Sequence, residues 1–382
     1  MSFNEVYITK TASYFPNDPV SNEEMEEYLG YINKNPSKSR RIVLRNNGIK
    51  RRFYALTKEG KPTHTNAQIT ARAVRALFDG TPEKLKDLEL LSCGTSSPDQ
   101  LMPSHGVMVH GELPETTSIE VVSPSGVCCA GMHAFKYAYM SIKTGDVHNA
   151  VATGSERFSV LLRSEIFEDE AQKLAQLETN PYISFEKEFL RWMLSDGAGA
   201  ILMSDKKSDG GLNLRVEWIE GASYANEMET CMYMGGEKRQ DGSLRSYMDY
   251  SPEEMISRSV LSIKQDVKLL GEYIIFLGGL KLKEVLEKKG VSVDQIDYFL
   301  PHISSEFFKS KIYEQLDKNG MHIPYEKWFV NLSNIGNVGA GSIYLMIDEL
   351  FQSGKLKKND KLLLLVPESA RFSYSFALLT VC

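Results

Sequence analysis

The chain has 382 residues, 25% of them charged and 42% hydrophobic, a soluble globular composition long enough for two domains of ordinary size. A net charge of −6 gives no global attraction to nucleic acid. No apolar run approaches the roughly 18 residues of a membrane span, and the start, MSFNEVYITKTASYF, lacks the basic and apolar regions of a secretory leader.

Taken in chain order, the first unusual segment runs from Lys34 to Arg52 and carries Lys34, Lys38, Arg40, Arg41, Arg45, Lys50, Arg51 and Arg52. It is either a docking face for an anionic partner or a solvated surface. DLELLSCGTSS (87–97) follows as a short apolar strand, and SIEVV (118–122) as another. After SIEVV the chain turns into a helix whose apolar face shows through Met132, Phe135, Ala138 and Ile142. Cys128 and Cys129 stand at that turn, where free N–H groups of a helix start stabilise a thiolate. A cysteine there is a nucleophile or a small core residue. A further strand ends in GSERF (154–158), which places Glu156 just past a core strand, as an acidic group near a site or as a surface cap. Residues 157–193 read as a charged and aromatic insertion covering a site. LSDGAGAILM (194–203) is the next strand, and SDKKSDGG (204–211) reads as a joint. Residues 224–250, rich in Met, Tyr and Gly, read as a second lid or a dimer contact.

The cysteines at 93, 128, 129, 231 and 382 are an odd set without zinc-ligand spacing, and adjacent cysteines make poor disulfide geometry. Free thiols in a reducing, cytoplasmic compartment and no bound metal are expected.

The chain also repeats itself. Strand, small-residue turn, amphipathic helix, polar turn and strand occur from Val121 and again from Phe329. With an offset of 208, Val122 falls on Val330, Ser125 on Ser333, Cys129 on Asn337 and Gly131 on Gly339. IDYFLPHISS (296–305) echoes DLELLSCGTSS and puts His302 near the counterpart of Cys93. Strand–helix–strand order with poorly alternating strands predicts an α/β protein with buried, largely parallel sheets, duplicated as residues 1–205 and 206–382.

Cys129, His302 and Asn337 thus share symmetric turns. A thiolate holds an acyl group as a thioester, while a neutral imidazole and a carboxamide donate hydrogen bonds to negative charge on a thioester oxygen. Alone, His302 reads as a satisfied buried histidine and Asn337 as a turn or cap residue; together they suggest acyl transfer.

These segments resemble the ketosynthase III-type condensing enzymes of the thiolase superfamily. RIVLRNNGIKRRFYA (41–55) is similar to the family's early Arg-x-Gly-Ile-x-x-Arg segment, with one extra residue before the glycine. CCAGMHAFKYA is similar to the nucleophile segment, LSDGAGAILM to the Gly-Asp-Gly-Ala-Gly-Ala strand, and LPHISS and NIGNVGAGS to the histidine and asparagine segments. The resemblance implies a thiolase-like duplicated fold of two pseudo-symmetric halves in α-β-α-β-α layers. It makes Cys129, the cysteine directly before Ala-Gly, the nucleophile, with His302 and Asn337 as partners. It implies oxyanion-hole N–H groups from Cys129 and Ala370, carrier or substrate contacts at Arg45 and Arg52, and a homodimer. It implies no resident cofactor, the substrates riding on coenzyme A or on the phosphopantetheine of acyl carrier protein.

Two departures from the family narrow the expectation. Where initiation ketosynthases close with a Gly-Gly-Gly-Phe stretch, this chain reads PESARFSYSFALL (367–379). The family's adenine-stacking tryptophan is replaced near Arg40 and Arg41. With Glu156 near the site, SKSRRIVLRNNGIKRR, SGVCCAGMHAFKYAYMSI and PESARFS resemble the ketosynthase-cyclase branch that makes dialkylresorcinols, stilbene precursors and the resorcinol part of flexirubin-type pigments, and Glu156 is the expected base for ring closure. The branch implies joining of two β-ketoacyl-type thioesters and cyclisation to a cyclohexanedione. Chain initiation from acyl-CoA and malonyl-carrier protein, and acyl transfer to oxygen or nitrogen, are the alternatives.

Overall fold

Apolar runs such as LLLLV (362–366) and FALLTV (376–381) are buried along nearly their whole length, because each strand is covered on both faces. In a computed structural model, which describes residues 3–37, 40–166 and 190–382, they form a nine-stranded mixed sheet. Its strands are β1 (Tyr7–Tyr14), β2 (Leu90–Thr95), β3 (Glu120–Val122), β4 (Asn149–Glu156), β5 (Gly197–Ser204), β6 (Leu214–Ser223), β7 (Tyr298–Pro301), β8 (Lys361–Glu368) and β9 (Ser373–Val381). Across the sheet the order is β3-β2-β4-β5-β1-β6-β9-β8-β7.

The order repeats on either side of the β1–β6 contact, where Tyr7 faces Arg215 and Ile8 faces Leu214. On one side β2 pairs parallel with β3 and β4, and β5 runs antiparallel between β4 and β1. On the other, β7 pairs parallel with β8, and β9 runs antiparallel between β8 and β6. The parallel bridge of Phe299 to Trp328 stands where a partner of β3 would be.

Helices complete the layers. α1 (Asn66–Ala76) and α2 (His105–Gly111) lie against the first set of strands, and α4 (Val267–Lys289) and α5 (Phe307–Lys318) cover the second. α3 (Cys128–Thr144) and α6 (Ser342–Gln352) lie between, with α3 touching β2 and β4 on one side and β8 and β9 on the other. This is the expected thiolase-like layering, but the sheet is mixed where largely parallel pairing was expected: five of its eight strand pairs are antiparallel, because the last strand of each half folds back along its neighbour. The inserted segment expected over 157–193 falls largely on 167–189, outside the described residues. Within 224–250, Gly236–Lys238 pairs with Leu244–Ser246, and Met232–Tyr233 pairs with Lys264–Gln265.

The inner helices meet at a close backbone crossing. A Cβ placed on Gly131 of α3 would lie 2.2 Å from the Ala340 carbonyl oxygen, and one on Gly154 of β4 only 2.1 Å from the same atom. Glycine at both positions lets the turn before α6 seat directly on α3 and β4. The Tyr344 hydroxyl donates to the Gly131 carbonyl at 2.7 Å and locks the crossing. Gly154→Ala should therefore destabilise the fold by about 1–3 kcal/mol, the usual cost of forcing an atom into a packed core. Gly271→Ala, on α4 with nothing within 4 Å of the added methyl, should be neutral or stabilising by about 1 kcal/mol from helix propensity. Urea denaturation of the two variants checks the contrast.

Candidate active site

The crossing places the start of α3, the turn after β7 and the turn before α6 around one cavity of about 930 Å³ including its open mouth. Cys128, His302, Asn337, Gly339 and Ser369 supply its polar end. Away from them it is apolar and runs between α4 and α5, past Leu270, Ile274, Phe308, Ile312 and Leu316. Met193, at the end of the expected 157–193 insertion, Leu194, from the strand motif, and Met232, from the 224–250 stretch, add to the wall.

His302 is buried directly after β7, its backbone N–H bonded to the Leu365 carbonyl at 2.8 Å. Burial lowers its imidazole to about 4, so the ring is neutral at neutral pH and can donate one N–H and accept at the other nitrogen. Asn337 is held by its main chain: its N–H donates to Met193 and its carbonyl accepts from Ser195. The Asn337 Oδ1 accepts from the Gly339 N–H at 3.0 Å, which leaves the NH₂ as the carboxamide's donor end. In LSDGAGA, buried Asp196 accepts from the Ala55 N–H at 2.7 Å and the Ser159 N–H at 2.9 Å, stitching the segment that carries Leu194 and Ser195 to its neighbours.

The two cysteines diverge. Cys128 reaches the cavity, whereas the Cys129 thiol donates to the Val366 carbonyl of β8 at 3.3 Å and is fully buried. The N–H groups of Val127 and Cys129 both donate to Glu368 Oε2 at 2.9 Å. The free N–H groups expected to favour a thiolate are thus spent on a carboxylate. Burial, and after it the Glu368 charge, pushes both thiols well above their ordinary value. The expected oxyanion-hole N–H of Cys129 is therefore engaged in this structure, because Glu368, at the end of β8 and just before the closing stretch, accepts from it. Ala370 is half-buried, and its carbonyl accepts from the N–H groups of Cys231 and Met232. Sequence reasoning missed Glu368, although an acid in PESARF at the end of a core strand was the available signal.

Glu156 is fully buried behind Gly339, where a Cβ would stand 2.8 Å from its Oε1. It accepts from the Ser97 hydroxyl at 2.6 Å, the Ser96 hydroxyl at 2.7 Å and the Ala340 N–H at 3.0 Å. It links β4 to the turn that carries Asn337. Of the two expected docking arginines, Arg45 is exposed but Arg52 is fully buried, with its Nη1 on Asn22 Oδ1 at 2.7 Å. Arg52 is thus no part of a surface contact, because the short strand Arg51–Arg52 turns it inward beside Gly336. Arg40 pairs with Glu26 at 2.5 Å. The cysteines are free thiols, and among the described residues no His, Cys, Asp and Glu cluster could hold a metal and no helix is long and apolar enough to cross a membrane.

Residues 286–372 match the family model of the 3-oxoacyl-[acyl-carrier-protein] synthase III C-terminal region. The chain is 23% identical over 365 residues to the beta-ketoacyl-[acyl-carrier-protein] synthase III of Trichormus variabilis, covering 93% of this chain and 92% of the relative. Among solved structures it superposes on AbyA1, a tetronic acid condensing enzyme, with a TM-score of 0.74 at 18% identity, covering 98% of this chain and 99% of the other. Xanthomonas campestris OleA with bound lauric acid and lauroyl-CoA gives 0.73 at 18% identity, with 99% of each chain covered. The chain thus has the thiolase-like fold of these condensing enzymes.

Within this fold the carboxyl of Glu156 is pushed up to about 7 by burial, which outweighs its hydrogen-bond donors. Native Glu156 therefore keeps its proton between pH 4.5 and 7, where the unfolded chain releases it. Its contribution is fully present below pH 4.5 and is lost as pH rises through 7. Glu156→Gln removes this dependence, so its stability relative to wild type should rise by up to about 3 kcal/mol across that window. Urea titrations at stepped pH measure the slope.

Proposed function

We propose that the protein is an acyltransferase that forms carbon–carbon bonds by Claisen condensation of acyl thioesters, through an acyl-enzyme on a cysteine at the start of α3. The observation that carries this reading is the shared cavity: a helix-start thiol, a neutral histidine and a carboxamide at the polar end of a largely apolar channel. The thiol takes the acyl group from a coenzyme A or carrier-protein thioester and releases the donor thiol. His302 and Asn337 then donate hydrogen bonds to the enolate oxygen of the second thioester. Its carbon attacks the acyl-enzyme carbonyl, the C–S bond to the cysteine breaks, and the departing thiolate takes up the proton removed from the second thioester's α-carbon. The apolar lining between α4 and α5 suits an alkyl chain.

The finer reading is that both substrates are β-ketoacyl-type thioesters, joined and then cyclised, with loss of carbon dioxide, to a cyclohexanedione precursor of a resorcinol. Two features favour it over simple initiation: the PESARF segment, which sets Ser369 in the cavity wall where the family has glycines, and a buried carboxyl of near-neutral pKa directly behind Gly339. Glu156 is the proposed base for ring closure. Exposed Arg41, Arg45, Lys50 and Arg51 form the proposed docking face for coenzyme A phosphates or acidic carrier protein, and a homodimer is the proposed assembly.

Purified enzyme offered a β-ketoacyl thioester or malonyl-carrier protein, with products identified by mass spectrometry, decides between the readings. Cyclised product from the β-ketoacyl thioester alone is expected; chain extension that requires malonyl-carrier protein would overturn the finer reading. Asn337→Ala should still form the acyl-enzyme but condense about 10²–10³-fold more slowly, the usual effect of one lost oxyanion donor. Glu156→Gln should acylate and yet release no cyclised product; normal cyclisation removes the base role.

A further inference from the structure

Resting on the acyl-enzyme reading above, with Cys129 as the nucleophile, we infer that Glu368 is a latch: its carboxylate keeps the start of α3 closed, and the thioester carbonyl oxygen has to displace it from the Cys129 N–H for acylation to occur. Both reactive groups of Cys129 are engaged at rest. The N–H donates to Glu368 Oε2 at 2.9 Å, and the thiol donates to the Val366 carbonyl at 3.3 Å. Both acceptors lie at the end of β8, so one strand end closes the nucleophile from two sides.

Glu368 Oε2 stands where an oxyanion would. It also accepts from the Val127 N–H at 2.9 Å, and backbone donors converging on one oxygen at that distance are the geometry that stabilises a tetrahedral intermediate. One N–H cannot serve the carboxylate and a thioester oxygen together. A carboxylate left beside the developing negative charge also opposes it. Occupant and substrate therefore exclude each other. At rest the occupant has a use, because Val127 caps α3 with no side-chain hydrogen bond and Glu368 satisfies the helix start instead.

The hold is one that a side chain can release. Among the described residues only Oε2 of this carboxylate carries hydrogen bonds, and no basic side chain pairs with it. The main chain is fixed: Glu368 pairs with Ser373 across the β8–β9 hairpin, and the Ala370 carbonyl ties the turn to the N–H groups of Cys231 and Met232. That turn passes through Phe372 at φ 58°, a conformation an aromatic residue seldom adopts, so it is held by its surroundings. Rotation about the Glu368 side-chain bonds is thus the motion that frees the two N–H groups.

With the latch open, the step is an ordinary acyl transfer. The Cys129 sulfur bonds to the carbonyl carbon, the donor C–S bond breaks, and the thiol proton leaves on the donor sulfur. With the latch closed, burial and the Glu368 charge keep the Cys129 thiol protonated and unreactive.

Octanoyl-coenzyme A and iodoacetamide are offered separately to wild type and Glu368 variants, with the modified cysteine located by fragment-ion mass spectrometry. Iodoacetamide needs the Cys129 sulfur but builds no oxyanion. Glu368→Ala should acylate Cys129 faster than wild type, and this gain should exceed its gain in alkylation by at least about tenfold, part of the 10²–10³ that one oxyanion donor controls. Glu368→Gln loses the charge but keeps an oxygen for the two N–H groups, so it should gain equally in both reactions. If Glu368→Ala does not fold, Glu368→Asp, which keeps the charge and shortens the reach by one methylene, should show the same excess. Equal gains in the Ala or Asp variant, or slower acylation, reduce Glu368 to a helix cap and overturn the latch, leaving the acyl-enzyme reading standing. An octanoyl group on Cys128 in place of Cys129 does the same. An adduct on neither cysteine in any variant overturns both.

Discussion

The seating of the Ala340 carbonyl against Gly131 and Gly154 is the contact on which the site depends. Each partner comes from a different place in the chain: a helix start, a core strand and the turn before another helix. With no Cβ on either glycine, main chain touches main chain, and the turn that carries Asn337 is brought to the depth of the cysteines. Glu156 adds a polar tie at the same point by accepting from the Ala340 N–H.

Burial sets the resting charge state. It holds the thiols protonated, the imidazole neutral and the Glu156 carboxyl near half-ionised at neutral pH. Within this dry setting Glu368 places a carboxylate on the start of α3, where it satisfies two N–H groups that would otherwise be unpaired. The helix start is thus electrostatically occupied, and a standing thiolate is disfavoured there.

Much of the architecture was legible in the sequence because it rests on local rules. Apolar runs of strand length, the Gly-rich turns and the echo between Val121 and Phe329 pointed to a duplicated α/β layering, and His302 and Asn337 do line one cavity. What stayed hidden was direction. Arg52 reads as part of a basic surface, yet its two-residue strand turns it inward. Glu368 reads as one charge in a polar turn, yet the end of β8 carries it onto α3 from 239 residues away in sequence from Cys129.

By itself, then, the sequence determined the kinds of groups available and the elements that bear them: cysteines at a helix start, a histidine after a strand, an asparagine in a glycine turn. Periodicity and turn chemistry act over a few residues, which is why these features survive without coordinates. The tertiary structure alone decided which way each cysteine faces and what holds the helix start. Both depend on the rotation of one helical turn against strands distant in sequence, and close packing, not propensity, sets that rotation.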